Sequence, residues 1–162
     1  MADRIARLMD AHGPAAEEVD HGSSQGWRWR LAGRVYLLYA RGQAQLEGAR
    51  WATETMSRMA NEEYRGHRRR IYIAWSFEEV HGYGAGVGMH FIEWFTANRQ
   101  ALNRFMVLTE NSILRMTART ASLALPAAGL VFPRSAGDFD RELGAWLAYL
   151  RTHGRPAAGG LS

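Results

Sequence analysis

The sequence predicts an α/β fold: one domain with a mixed, mostly parallel sheet, an N-terminal antiparallel hairpin and about four helices packed on it. Three observations predict it. Apolar runs of strand length alternate with segments whose apolar residues recur every three or four positions. Their order is hairpin, helix, strand, helix, strand, helix, strand, helix, and strands separated by helices become parallel neighbours through crossover connections. The first two strands are joined by a Gly turn too short for anything but an antiparallel pair. With 162 residues, 47% of them hydrophobic, and six each of Trp, Tyr and Phe, the chain has ample material for one packed core.

The elements follow in order. Trp27-Arg28-Trp29-Arg30-Leu31 alternates with period two, Ala32-Gly33 turns, and Val35-Tyr36-Leu37-Leu38-Tyr39 continues as a buried strand. Ala49, Ala52, Met56, Met59 and Ala60 then mark one face of a helix from Leu46 to Asn61. Gly66 breaks the chain before a central strand, Arg70 to Trp75. A Gly-rich loop, Gly82 to Gly88, leads into a helix from Val87 to Leu102 with Val87, Phe91, Trp94, Phe95 and Asn98 on one face. Phe105 to Thr109 is a short strand. A helix beginning near Ser112 carries Ile113, Met116, Thr117, Thr120 and Ala124, and Leu130 to Pro133 forms a last short strand. Phe139, Leu143, Trp146, Leu147 and Leu150 make the cleanest amphipathic helix, with Asp138 as its expected cap.

Residues 1–26, rich in Ala, Gly and polar side chains, are expected to be a flexible segment in which Ile5, Leu8 and Met9 form at most one amphipathic turn outside the core. Residues 27–152 are the domain, and residues 153–162 a second flexible tail. The N-terminus carries Asp3 and Asp10 and no signal-like apolar stretch. The longest apolar run, Ala121 to Phe132, is interrupted by Pro126 and is far shorter than the roughly 20 residues of a membrane-spanning helix. A cytoplasmic protein without a membrane partner is expected.

Composition closes several chemistries. The chain has no Cys, which excludes disulfides, thiolate metal sites and cysteine nucleophiles. All twenty basic residues are Arg, so Schiff-base lysines and the phosphate-binding lysine of a Walker A loop are excluded too. The formal charge of +4 permits an anionic partner without requiring one.

Four segments in this order resemble the STAS-like domain, a divergent relative of the anti-sigma factor antagonists: WRWRLAGRVYLLYARG, EGARWATETMSRM, RIYIAWSFEEVHGYGAGVG, and FMVLTENSILRM with LVFPRSAGDFDREL. The resemblance covers about residues 27–152. It implies a non-enzymatic, bacterial-type regulatory module that binds a signalling partner, with the loop and the following helix as binding surface. In such domains a Ser in an Asp-Ser-x-Gly segment is the phosphorylated switch. Here alignment on Gly86 puts Tyr83 and Gly84 in place of Asp-Ser, and a shift by one puts Gly82 and Tyr83 there. The usual phosphoserine switch is therefore not expected.

Glu78, Glu79, His81, Tyr83, Gly84 and His90, in and around the Gly-rich loop, form the expected partner surface, with Trp51 as an off-stripe aromatic. The partner is expected to be a signalling protein or a second copy of the chain. The alternative is a small-ligand module in which the loop cradles a nucleotide, an anion or an apolar molecule. G-x-G-x-x-G fails from both Gly82 and Gly84, so glycines that permit a tight loop are the simpler reading. His90 and Glu93 share a helical face but form no metal-binding motif, so neither metal nor cofactor is expected. Ser76 and His81 show no triad, and adjacent Glu78 and Glu79 point to opposite faces of an extended chain, so no enzyme activity is expected. Arg65, Arg68, Arg69 and Arg70 form the densest basic patch. Without accompanying aromatics or a binding motif it reads as a solvated loop rather than a nucleic-acid site.

Overall fold

The computed structural model describes residues 3–123 and 129–153. Its strands are β1 (Glu17–Asp20), β2 (Ser24–Leu31), β3 (Val35–Ala44), β4 (Ile71–Tyr83), β5 (Leu102–Leu108) and β6 (Leu130–Val131). The helices are α1 (Arg4–His12), α2 (Leu46–Ala60), α3 (Val87–Ala97), α4 (Ser112–Ser122) and α5 (Ala136–His153). The six strands lie side by side in sequence order; β1, β2 and β3 pair antiparallel, and β3 to β6 pair parallel. The fold class is therefore the expected one.

Because β3 to β6 are laid down one beside the next, their crossover helices α2, α3 and α4 fall on one face of the sheet. There Tyr36, Leu38, Ile73, Trp75 and Phe105 meet Met56, Phe91, Phe95 and Leu114. Trp75 anchors this layer, with ring centroids 4.7 Å from Phe91 and 4.9 Å from both Phe77 and Phe105. On the opposite face α5 and α1 cover Trp29, Leu37, Tyr39, Tyr72 and Met106. The β2–β3 turn is the expected one. Ala32 and Gly33 both have positive φ, and Arg34 N–H donates to the Leu31 carbonyl, the tight geometry that matches the twist of a hairpin.

Several boundaries differ from expectation. Residues 1–26 are not uniformly outside the domain. α1 lies on the sheet with Leu8 fully buried, β1 pairs along β2, and Trp29 Nε1 donates to the Gly13 carbonyl across 2.9 Å. β4 does not end at Trp75. It runs through Tyr83 along β3, with Arg41 opposite Glu79 and Ala44 opposite Tyr83, so Glu78, Glu79, His81 and Tyr83 belong to a strand rather than a loop. The physical reason is that the ladder with β3 continues to Tyr83 while Ser76 and Arg4 hold the Glu78 carboxylate. α3 stops at Ala97, where Asn98 Nδ2 caps the Trp94 carbonyl, instead of reaching Leu102. In α4 the buried residues are Leu114, Ala118 and Ala121, whereas Ile113 and Met116 face outwards. Asp138 sits inside the first turn of α5, and Ser135 Oγ accepts its N–H as the cap. Ala124 and the tail from residue 154 lie outside the described residues.

Candidate functional site

The residues expected to share one partner surface are divided between the two faces of the sheet. Glu78 points to the α1 and α5 face, where its carboxylate accepts from Ser76 Oγ at 2.7 Å and from Arg4 Nε at 3.0 Å. Arg4 also makes a two-pronged bond to Asp140 of α5, both contacts at 2.8 Å. Its guanidinium loses hydration by burial, but these carboxylates more than offset that loss and raise its pKa further. This partly buried cluster fastens α1 to β4 and α5, and it occupies the side chains of Ser76 and Glu78. Ser76 is itself fully buried.

Trp51, Tyr83 and His90 belong to the other face, where the side chains of Trp51 and His90 are each held by a hydrogen bond. Trp51 Nε1 donates to Glu17 of β1 at 3.1 Å, and its ring lies over Gly26, where a Cβ would come within 3.0 Å of the indole. Glu17 also takes Arg28, at 2.8 Å. Burial opposes ionisation of Glu17, yet Arg28, Trp51 and Arg58 hold its carboxyl below the usual range. His90 Nε2 pairs with Thr53 Oγ1 at 2.8 Å, tying α3 to α2. The Tyr83 hydroxyl is buried without a partner among the described residues, and burial pushes its ionisation up. That placement does not suit a phosphate acceptor. Of this set, His81 alone is exposed, while Glu79 stands half-buried beside Arg41 in the ladder.

The Gly-rich segment is a compact turn. Gly84 N–H donates to the Ala44 carbonyl at 2.7 Å, and the Gln45 side chain fills the space where a Gly84 Cβ would stand, 2.1 Å from Gln45 Oε1. Gly86 adopts φ +82° and opens α3, and its carbonyl accepts the His90 N–H. The glycines are thus used for chain reversal and close packing.

The basic patch is partly neutralised. Arg69 pairs with buried Glu63 at 2.8 Å, Arg65 bonds Asn61 at 2.6 Å, and Arg30 from β2 reaches both Glu62 and Glu63. Arg65, Arg68 and Arg70 remain exposed, and Arg68 has φ +59°. Among the described residues no three His, Asp or Glu groups are gathered as a metal site requires.

The sequence reading missed an exposed apolar face on α3 and α4. Met89, Ile113 and Met116 are 60%, 62% and 68% exposed. The two helices touch where Gly88 meets Thr117, its Cβ position lying 3.1 Å from Thr117 Oγ1. The available signal was that α4 carries two apolar stripes, one more than a single core contact needs. No described helix is long and apolar enough to cross a membrane.

Among solved structures the chain is similar to that of an uncharacterized protein from the DUF3478 family with a SpoIIAA-like fold, from Shewanella loihica. The identity is 13% and the TM-score 0.48, over 81% of this chain and 90% of that one. No family model and no curated protein matches the chain.

Proposed function

We propose that the protein is a non-enzymatic regulatory interaction module that engages a signalling protein, or a second copy of itself, through the outer face of α3 and α4. One observation carries this reading: Met89, Ile113 and Met116 expose apolar side chains on two adjacent helices, away from the core stripe of each. Apolar side chains gathered on neighbouring helices gain free energy when a partner removes them from water. The groups with chemical potential support the same reading by their occupations. Ser76 and Glu78 bond each other and Arg4, His90 bonds Thr53, and the Tyr83 hydroxyl is buried. Binding is then controlled by surface complementarity rather than by a phosphoserine at the turn.

The test is Ile113→Glu with Met116→Glu. Both positions are exposed, and acidic residues near a helix N-terminus suit its dipole, so the fold should be retained. Wild-type protein is expected to self-associate in sedimentation equilibrium or to retain a protein partner in affinity capture, and the double variant to weaken that association at least about tenfold. Equal association by both proteins would overturn the proposal, as would no association by either.

A further inference from the structure

A narrow cleft of about 50 Å3 lies where β1 to β4 meet α2 and α3. Leu38, Ala52, Phe77 and Phe91 supply apolar walls, and His21 and Ser24 line its polar end. His21 Nε2 is buried and has no hydrogen-bond partner among the described residues. Its Nδ1 stands 3.2 Å from Glu47 Oε1 of α2. A carboxylate beside Nδ1 favours the hydrogen on that nitrogen, and in that tautomer Nε2 carries the lone pair. An acceptor held in this way, without a partner, forgoes a hydrogen bond that a suitable ligand can supply.

We propose that this cleft binds a small uncharged molecule made of a short aliphatic group and one hydrogen-bond donor, the donor being taken by His21 Nε2. Size sets the first limit. Each water-sized group needs roughly 10–15 Å3 of such space, so about four non-hydrogen atoms fit inside and an aromatic ring does not. Polarity sets the second. Arg41 also borders the cleft, but its guanidinium is committed to Gln25 Oε1 and the Trp27 ring. An ion would lose its hydration against these walls with no free counter-charge in return, whereas a neutral alcohol or amide N–H loses little and gains the bond to His21. The site differs from the expected cradle in the Gly-rich turn: the space beside Gly84 is already filled by Gln45. It is also independent of the α3–α4 face, so either proposal can fail alone.

The probes are 2-propanol and acetone, which are close in size and shape but differ in carrying a donor. Each is titrated into the full chain and followed by two-dimensional 1H–15N NMR at Gly48, at Ala52 and at the Trp51 indole N–H. 2-Propanol is expected to give saturable shifts confined to the cleft and to bind about tenfold more tightly than acetone. His21→Phe should abolish that preference, and Ala52→Leu, which fills the cleft, should abolish both titrations. Shifts that never saturate, equal binding of the two probes, or a preference that survives His21→Phe would overturn the proposal. Should Ala52→Leu fail to fold, the wild-type comparison and His21→Phe still decide.

Discussion

At the scale of single residues, the fold makes its strictest demand at Gly42. This glycine sits in β3 with φ +93°, and a Cβ there would stand 2.3 Å from the Ser23 carbonyl oxygen and 3.1 Å from Ser24 Cα. Both obstacles are backbone, which cannot swing aside as a side chain can. Gly33 in the β2–β3 turn also has positive φ, +73°, but a Cβ there meets nothing within 4 Å. The pair separates dihedral strain from collision. Gly33→Ala should cost about 1–2 kcal/mol, the penalty of left-handed backbone for an L-residue. Gly42→Ala should cost at least about 3 kcal/mol in urea unfolding, because the collision adds to that strain. Equal losses at the two sites would show that the β1–β2 connection can move away from β3. Neither requirement is written in the local sequence. Gly42 lies inside an apparently regular strand, and its crowding comes from Ser23, which the antiparallel ladder brings back beside it.

At the scale of elements, α1 is held by one ionic cluster and one buried leucine. Arg4 is 5% exposed and Leu8 1%. Arg4 links helix to sheet through Glu78 and to α5 through Asp140. Arg4→Gln would leave Glu78 partly buried against no cation. A fully buried pair broken in this way costs about 3–5 kcal/mol. Since Asp140 is half exposed, a cost of roughly 2 kcal/mol is expected here, and it should be local. Hydrogen exchange should show faster opening of the α1 amides while the central amides of β4 and β5 keep their protection. Acid should act in the same direction through His12 at the end of α1. Burial lowers its pKa and the Arg4 charge adds to this, with Asp140 opposing. The folded state thus binds that proton less readily than the unfolded chain. The corresponding stability is present above the ordinary histidine range and is lost as pH falls through the lowered value. α1 protection in the wild type should therefore decline on acidification, and a pH-independent α1 would contradict this account. The strand end from Glu78 to Tyr83 was illegible in sequence for the same reason that α1 was. Two adjacent carboxylates look like loop until Arg4, seventy-four positions away, is seen beside one of them.

At the scale of the whole molecule, the parallel half of the sheet was legible and the N-terminal edge was not. Strands β3 to β5 are apolar runs bracketed by amphipathic helices, and α5 carries its burial pattern openly in Phe139, Leu143, Trp146, Leu147 and Leu150. Such signals are local, so they survive reading one segment at a time. The candidate site fared worse. Its residues were chosen for proximity in the chain, yet alternation along β4, interrupted by a register shift between Ser76 and Glu79, sends Ser76 and Glu78 to one face of the sheet and Phe77 and Val80 to the other. The N-terminal segment has little apolar content of its own, and its contribution lies in what it covers. α1 places Leu8 in the layer that holds Trp29 and Phe139, and β1 places Glu17 within reach of Arg28, Trp51 and Arg58. A chain cut to residues 23–162 retains all of the domain predicted from sequence, residues 27–152, and tests whether that boundary is sufficient. Without α1, part of the Trp29 and Phe139 layer meets water. Without Glu17, the Trp51 indole N–H and the Arg28 guanidinium lose their shared acceptor. Removing Leu8 from the core alone costs about 2–5 kcal/mol by comparison with buried leucine truncations, and the lost ion pairs add to it. That is a large share of the roughly 5–15 kcal/mol that stabilises an ordinary domain. The shortened chain should therefore unfold at markedly lower urea concentration and bind a hydrophobic dye under conditions in which the full chain does not. An unchanged midpoint would mean that residues 3–22 rest on the domain without supporting it.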